Sequence, residues 1–283
     1  MHRPVDPAAA RLVDWFGREG ADLPWRRTRD RYAVLVAETQ LQATPVARVL
    51  PYYRRWMERW PTAADLAVAP LGEVLALWQG LGYPRRARNL HAAARIIARD
   101  GWPAAERLTD LPGVGPYTAA ALRCFADEED VLPVDVNVAR VLRRRFPGGW
   151  PGSPPDGAWA AGQALMDLGR VWCRARAPAC DDGCPLRAGC PAADSGDPLA
   201  ADPPRRRQGR YDGSFRQRRG VVLAALAAGR PFPRRDDPEA VDSLAAEGLV
   251  ALRDGVARPV GPETDGVPER GPAPPVAAGR PAG

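Results

Sequence analysis

The sequence contains no lysine; all forty of its cationic side chains are arginines. Such a chain cannot form a Schiff base through a lysine side chain, which excludes one mode of covalent catalysis. Long apolar runs are missing too, so no segment is expected to span a bilayer. The N-terminal "MHRPVDPAAARLVDW" lacks the apolar centre of a signal peptide, and the chain is expected to be intracellular. Strict apolar/polar alternation, the mark of a half-buried strand, does not occur before about residue 190. None of the five cysteines stands in the C-x2-C pair that is usual for zinc knuckles.

What is present points to a folded protein with an anionic partner. With 283 residues and 45% hydrophobic content, the chain can bury a real core in one large or two modest domains. A formal charge of +6 and a pI near 9.4 favour a polyanion, nucleic acid first, over a small neutral ligand. Abundant Ala, Pro, Gly and Arg together indicate GC-rich coding, which accounts for part of the arginine excess.

Up to Cys190 the pattern is helical throughout. "AARLVDWFGREG" sets Leu12 and Phe16 on one face, and "YAVLVAETQLQA" aligns Val34, Leu35 and Leu41. Residues 46–60, 71–81, 84–99, 117–126, 136–145 and 157–172 repeat the pattern between Gly, Pro or Asp boundaries, giving about eight helices. Residues 146–157 read as a loop and 191–210 as a Pro-, Asp- and Arg-rich linker. Beyond it come two short helices and a hairpin turning at Asp254-Gly255, an order like that of a small winged-helix unit. The composition after that indicates a disordered tail.

Four features carry chemistry. In "LPGVGPYTAAAL", glycines 113 and 115 permit positive φ and remove side chains, so backbone N–H groups around Val114 can converge on an anion beside a helix N-terminus. A plain helix-helix turn is the alternative. Cys173, Cys180, Cys184 and Cys190, spaced x6, x3 and x5, can hold a [4Fe–4S] cubane; zinc or no metal are the other readings. Glu38, with Val34, Leu35, Leu41 and Gln42 as helical neighbours, projects from an apolar face that would raise its pKa toward that of a general acid. The competing reading is a carboxylate at the edge of the stripe, reaching water. Asp135 stands at a helix N-cap, a place capping alone explains, yet one where an ionised carboxylate can face a developing cation with Asn137 orienting it.

The remaining candidates are plainer. Cys124 and His91 read as core residues, and Trp56, Trp60 and Trp78 as packing. Arg85, Arg86, Arg88, Arg143, Arg144 and Arg145 are candidate phosphate contacts.

In this order, "LPWRR", "AETQLQAT", "LWQGLGYPRRARNLH", "LPGVGPYTA", "VDVNVARVL" and "ALMDLG" resemble the signature segments of the adenine glycosylase (MutY) family, within the helix-hairpin-helix, endonuclease III-like DNA glycosylases. The resemblance covers roughly residues 10–190. It implies an all-α fold of two lobes with DNA between them: 1–29 plus 141–194 carrying the cysteines and an iron–sulfur cluster, and 30–140 as a six-helix lobe with the hairpin. A linker at 195–210, the winged-helix-like unit at 211–260 and the tail at 261–283 complete this division.

The implied function is base excision repair by a nucleoid-associated cytoplasmic monomer. It would act on double-stranded DNA, removing adenine mispaired with 8-oxoguanine or guanine after flipping it out. By resemblance Glu38 protonates adenine and Asp135 stabilises the oxocarbenium-like sugar, with Tyr117 and Asn137 beside them. Arg26, Leu41, Val46 and Asp167 match the adenine pocket, Gln42 matches a residue inserted into the duplex, and Tyr83 is a further expected DNA contact. Tyr117 stands where bifunctional relatives place a Schiff-base lysine, which implies a monofunctional enzyme.

The chain departs from the family pattern at the x3 spacing after Cys180, at Ala43 in place of a second glutamine, at Pro84 in place of an aromatic wedge after Tyr83, so that DNA opening is expected to be less assisted, and in showing no Nudix-like sandwich in residues 191–283. A thymine or uracil mismatch glycosylase of the same fold, and a DNA-binding protein without catalysis, are the alternative expectations.

Overall fold

The computed structural model describes residues 6–153, 157–204 and 209–261. In chain order the helices are α1 (Pro7–Glu19), α2 (Arg31–Leu41), α3 (Val46–Arg59), α4 (Ala63–Ala67), α5 (Leu71–Trp78), α6 (Arg85–Asp100), α7 (Pro116–Phe125), α8 (Val136–Arg145), α9 (Ala158–Val171), α10 (Pro191–Asp194), α11 (Phe215–Ala227) and α12 (Pro238–Ala246). The strands are β1 (Phe232–Pro233), β2 (Ala251–Arg253) and β3 (Val256–Arg258). Carboxylates start several helices: Asp6, Asp30, Asp135 and Asp237 each accept N–H groups of the turn they precede.

Three hydrophobic cores organise these elements. The first is built by α2 to α7 around Trp56, which packs edge-on against Trp60 and Trp78 with centroids 4.9 and 5.5 Å away. Its indole N–H donates to the Tyr32 hydroxyl at 3.2 Å, which in turn donates to the Trp60 carbonyl at 3.0 Å. His91 is buried with Nε2 3.0 Å from the Ala69 carbonyl, a core histidine as expected. The second core joins α1, α8 and α9 through Leu12, Trp15, Val138, Val141, Leu165 and Leu168. The third belongs to α11, α12 and the three-stranded sheet, ordered β1-β3-β2 and antiparallel throughout.

The eight long helices expected from periodicity are all present. Helix α4 and the 3-10 turns at Pro24–Arg26 and Ala105–Asp110 were not expected, because three to six residues are too few to display a 3.6 period. The hairpin turns at Asp254 and Gly255, both with positive φ (53° and 71°). Two-residue β1 pairs Phe232 with Ala257, and a strand so short has no alternation to read.

The segment after the cysteines is more anchored than a linker. Helix α10 opens it, and Asp202 pairs with the buried Arg144 at 2.6 Å. Residues 205–208 of the expected linker and 262–283 of the expected tail lie outside the described residues. The C-terminal unit is docked on the first core: the Gly72 N–H donates to the Val260 carbonyl at 3.0 Å, and Arg88 reaches the Glu247 carbonyl. Among the described residues no helix is long and apolar enough to cross a membrane.

Candidate active site and nucleic-acid interface

Glu38 lies in the last two turns of α2 and is 5% exposed. Oε2 accepts a 2.7 Å hydrogen bond from the Tyr117 hydroxyl at the start of α7. Burial, which penalises the charged form, lifts its pKa to about 7. The Tyr117 hydrogen bond and the Arg26 charge pull it down, while the Asp135 charge pushes it further up. The Tyr117 phenol is held well above its ordinary value, by burial first and then by the Glu38 charge, so it stays a donor. The apolar face seen in sequence is therefore a closed wall.

Asp135 caps α8, with Oδ1 accepting from the Asn137 and Val138 N–H groups at 2.9 and 2.7 Å. Oδ2 accepts from the Asn137 side-chain amide at 2.8 Å. The amide oxygen of Asn137 accepts from Arg140 at 2.8 Å, and Arg140 also donates to the Gly169 and Cys173 carbonyls at 2.7 and 2.6 Å. Arg140, itself anchored on backbone carbonyls, thus fixes Asn137, the orienter of Asp135, from behind. Arg140 was missed in sequence, although its place three residues after Asn137 on one helix face is a legible signal.

Arg26 and Asp167 form a buried ion pair at 2.8 Å. Burial works to raise the Asp167 pKa, but Arg26, the Ala21 N–H and Arg170 together hold it below the usual value. Arg26 Nε donates to Gln163 at 2.7 Å, and its guanidinium lies 5.1 Å from the Phe16 ring. Gln163 was also missed; it lies one helical turn before Asp167 on α9. Leu41 and Val46 are partly buried against the first core at the end of α2 and the start of α3.

The hairpin before α7 differs from expectation in detail. Gly113 has φ +80°, and a Cβ there would lie 2.9 Å from that of Asn89. Gly115 is extended (φ −92°, ψ −180°), so it needs no special conformation; its Cβ direction meets nothing within 4 Å. The Val114 side chain is buried and its N–H donates to the Leu111 carbonyl at 3.1 Å. Gln42 and Gly113 line one depression with Thr39, Arg86 and Asn89. Tyr83 is 50% exposed on the neighbouring turn.

Two of the arginines expected at phosphates are internal struts. Arg144 is 2% exposed and serves Asp202, the Arg174 carbonyl and the Cys173 sulfur. Arg86 donates to six oxygens of the protein itself. Arg88 and Arg85 both reach Glu247, Arg85 at 3.8 Å, and Arg143 lies 3.5 Å from Asp202. Arg145 stacks on Phe146 at 4.8 Å. A charge run cannot show which of its members face inward.

Cys173, Cys180, Cys184 and Cys190 line a single pocket together with Arg144, Arg145 and Trp172. All are free thiols. Among the described residues no three His, Cys, Asp or Glu side chains form a group that could hold a single metal ion; the thiols stand around the space. Three N–H groups on residues lining it, Trp172 Nε1, Arg144 Nε and Arg145 Nε, are buried without an acceptor, as expected where sulfur atoms of a guest complete them. Gly183, inside the x3 spacing, has φ +117°, and a Cβ added there would lie 3.5 Å from the Trp172 ring. The donor set fits an iron–sulfur cluster.

Comparison with known proteins agrees with this geometry. The family model for HhH-GPD superfamily base excision DNA repair proteins matches residues 36–152. The adenine DNA glycosylase of Mycolicibacterium smegmatis is 41% identical over 270 residues, spanning 84% of this chain and 91% of the relative. That of Mycobacterium tuberculosis is 41% identical over 243 residues, spanning 78% of this chain and 79% of its own length. Among solved structures, a thermostable thymine-DNA glycosylase superimposes with a TM-score of 0.58 at 27% identity, over 64% of this chain and 93% of that one. A trapped endonuclease III-DNA covalent intermediate gives 0.57 at 22% identity, over 67% of this chain and 95% of that one, which carries the fold alone. With its two large helical cores, its hairpin before α7 and these relatives along most of its length, the chain belongs to the adenine DNA glycosylase family of the HhH-GPD superfamily.

Proposed function

We propose that this protein hydrolyses the N-glycosidic bond of adenine mispaired with 8-oxoguanine or guanine in double-stranded DNA and leaves the abasic strand uncut. The observation that carries the reading is Glu38, a buried carboxyl with a pKa near 7, hydrogen-bonded to Tyr117 and within electrostatic reach of Asp135. A binding protein without catalysis has no use for so costly a group.

Glu38 in its protonated form donates to a ring nitrogen of the flipped adenine. The bond from the sugar C1′ to the base then breaks, its electron pair leaving with the protonated adenine. Positive charge develops on the sugar ring, where Asp135, fixed in place by two backbone N–H groups and the Asn137 side-chain amide, stabilises it. Water adds to C1′ and gives up its proton to the Glu38 carboxylate, which restores the acid and completes hydrolysis in the two-carboxylate manner of glycosidases. Arg26, Asp167, Leu41 and Val46 line the base pocket, and Gln163 fixes the Arg26 fork. Tyr117 is no Schiff-base nucleophile, and the sequence has no lysine to act in its stead.

DNA lies between two lobes, gripped at a phosphate by the Gly115 end of the hairpin and opened by Gln42 and Tyr83. The second core includes Val138 near the start of α8, so we draw the lobe boundary ahead of that helix. Residues 211–260 form a small winged-helix-like unit. Cys173, Cys180, Cys184 and Cys190 would hold a [4Fe–4S] cluster, which would tie together the segment that carries them.

On duplexes with one adenine opposite 8-oxoguanine or guanine, the protein is expected to release adenine and give strand breaks only after alkali. Breaks without alkali, or cleavage confined to thymine opposite guanine, would contradict this. Anaerobically purified protein is expected to be brown, with about four iron and four acid-labile sulfide per chain; iron-free, colourless protein removes the cluster from the account.

Because the folded-state pKa of Glu38 lies above its unfolded value, its contribution to stability declines as pH rises from about 4.5 toward 7. Glu38→Gln should therefore match wild type in denaturant unfolding near pH 4. By pH 8 it should be more stable by on the order of 1–3 kcal/mol, with base release down roughly 10²- to 10⁴-fold. Equal stability at both pH values would show that the carboxyl reaches water.

A further inference from the structure

We propose that Arg86 is a positioning residue for opening the duplex: its guanidinium locks the Gln42 turn and the Tyr83 turn into one rigid double wedge. The inference rests on reading those two residues as the ones that enter the DNA. Arg86 touches neither substrate nor reacting atoms, and acts through the two turns.

The two terminal nitrogens of Arg86 divide the work. Nη1 donates to the carbonyls of Thr39, Gln40 and Gln42 at 2.7, 3.2 and 2.6 Å, and so completes the C-terminal end of α2. Those are the carbonyls that a helix end leaves without partners. Nη2 donates to the carbonyls of Leu81 and Gly82, both at 3.0 Å, and to the Thr44 hydroxyl at 3.3 Å. One planar fork therefore joins two turns that lie some forty residues apart in sequence.

Both turns are held in backbone conformations that need such support. Ala43 (φ 55°) follows Gln42 where a glycine usually ends a helix, and Tyr83 itself has φ 50°. A side chain in the left-handed region persists only where its surroundings enforce it. The guanidinium carbon of Arg86 also lies 5.5 Å from the Tyr83 ring and 5.2 Å from the buried Trp78 ring, so it braces the wedge from beneath. Among the described residues no carboxylate pairs with Arg86, and its Nε is buried without an acceptor. Its charge is thus committed to the turns. A lysine has the charge but no fork, and cannot serve both fans of acceptors at once.

A wedge works only if it yields less than the base stack it parts. With the fork removed, the turns relax toward ordinary backbone conformations, and extrusion of adenine suffers while Glu38 and Asp135 keep their own supports on α7 and α8.

The test uses the full chain carrying Arg86→Ala or Arg86→Lys, with folding checked by circular dichroism. Extrusion is read from 2-aminopurine placed beside the target adenine, a signal that needs no catalysis. Single-turnover base release is measured with saturating enzyme on two duplexes, adenine opposite 8-oxoguanine and adenine opposite an abasic site, where no partner base holds it in place. Both variants are expected to lose the fluorescence rise and to release paired adenine at least tenfold more slowly than wild type. Loss on unpaired adenine should stay within about threefold, and the pH dependence should be unchanged.

Equal loss on both duplexes, or full activity of either variant on paired adenine, overturns the proposal. If Arg86→Ala does not fold, Arg86→Lys decides by the same criteria. Wild type that releases adenine from neither duplex would instead sink the glycosylase reading, and the fluorescence comparison would still judge the clamp.

Discussion

The structure depends on keeping one carboxyl out of water. Among the described residues Glu38 has no cationic partner in contact, only the Tyr117 hydroxyl, and burial is the largest cause of its displacement toward neutral pH. Such a group destabilises the fold wherever it is ionised, and the surrounding helices offset that cost. Helix α2 is buried along nearly its whole length, and α7 closes over it with the tyrosine at its first turn. Asp135 is the counterpart, fixed by the N–H donors of the helix it caps. One buried acid and one capped carboxylate divide the roles of proton donor and stabiliser between them.

Arginine does the internal joinery of this lysine-free chain. Arg26 ties α9 to the turn after α1, Arg140 ties α8 to α9 and to the first cysteine, and Arg144 ties α8 to the segment beyond the cysteines. Each uses the guanidinium as a multi-acceptor fork, a task a point-charge ammonium performs poorly. The positive net charge therefore overstates the surface available to DNA. Several of the cations that appear as runs in the sequence are spent inside the protein.

How much was legible follows from the range of each signal. Periodicity found the long helices because a 3.6 repeat accumulates over ten residues, and it missed α4 and β1 because they are too short to repeat. The Glu38 environment was readable from its own helix, whose neighbours at three and four residues are apolar. The hairpin was readable in outline, but which N–H groups stay open was not: Val114 spends its own on Leu111. Residues that act across the fold, such as Gln163 on Arg26 or Arg86 on two distant turns, carried no local mark. Their acceptors are mostly backbone carbonyls or remote side chains, which sequence spacing cannot reveal.

The central claim is that Glu38 delivers a proton from a site that keeps it neutral. The most direct measurement is the single-turnover rate of adenine release by wild-type protein as a function of pH, on adenine opposite 8-oxoguanine with enzyme in excess. The account predicts a rate that is level on the acid side and falls about tenfold per pH unit above a midpoint near 7, one proton being required. A rate that climbs through neutral pH, or stays level up to pH 9, would contradict it.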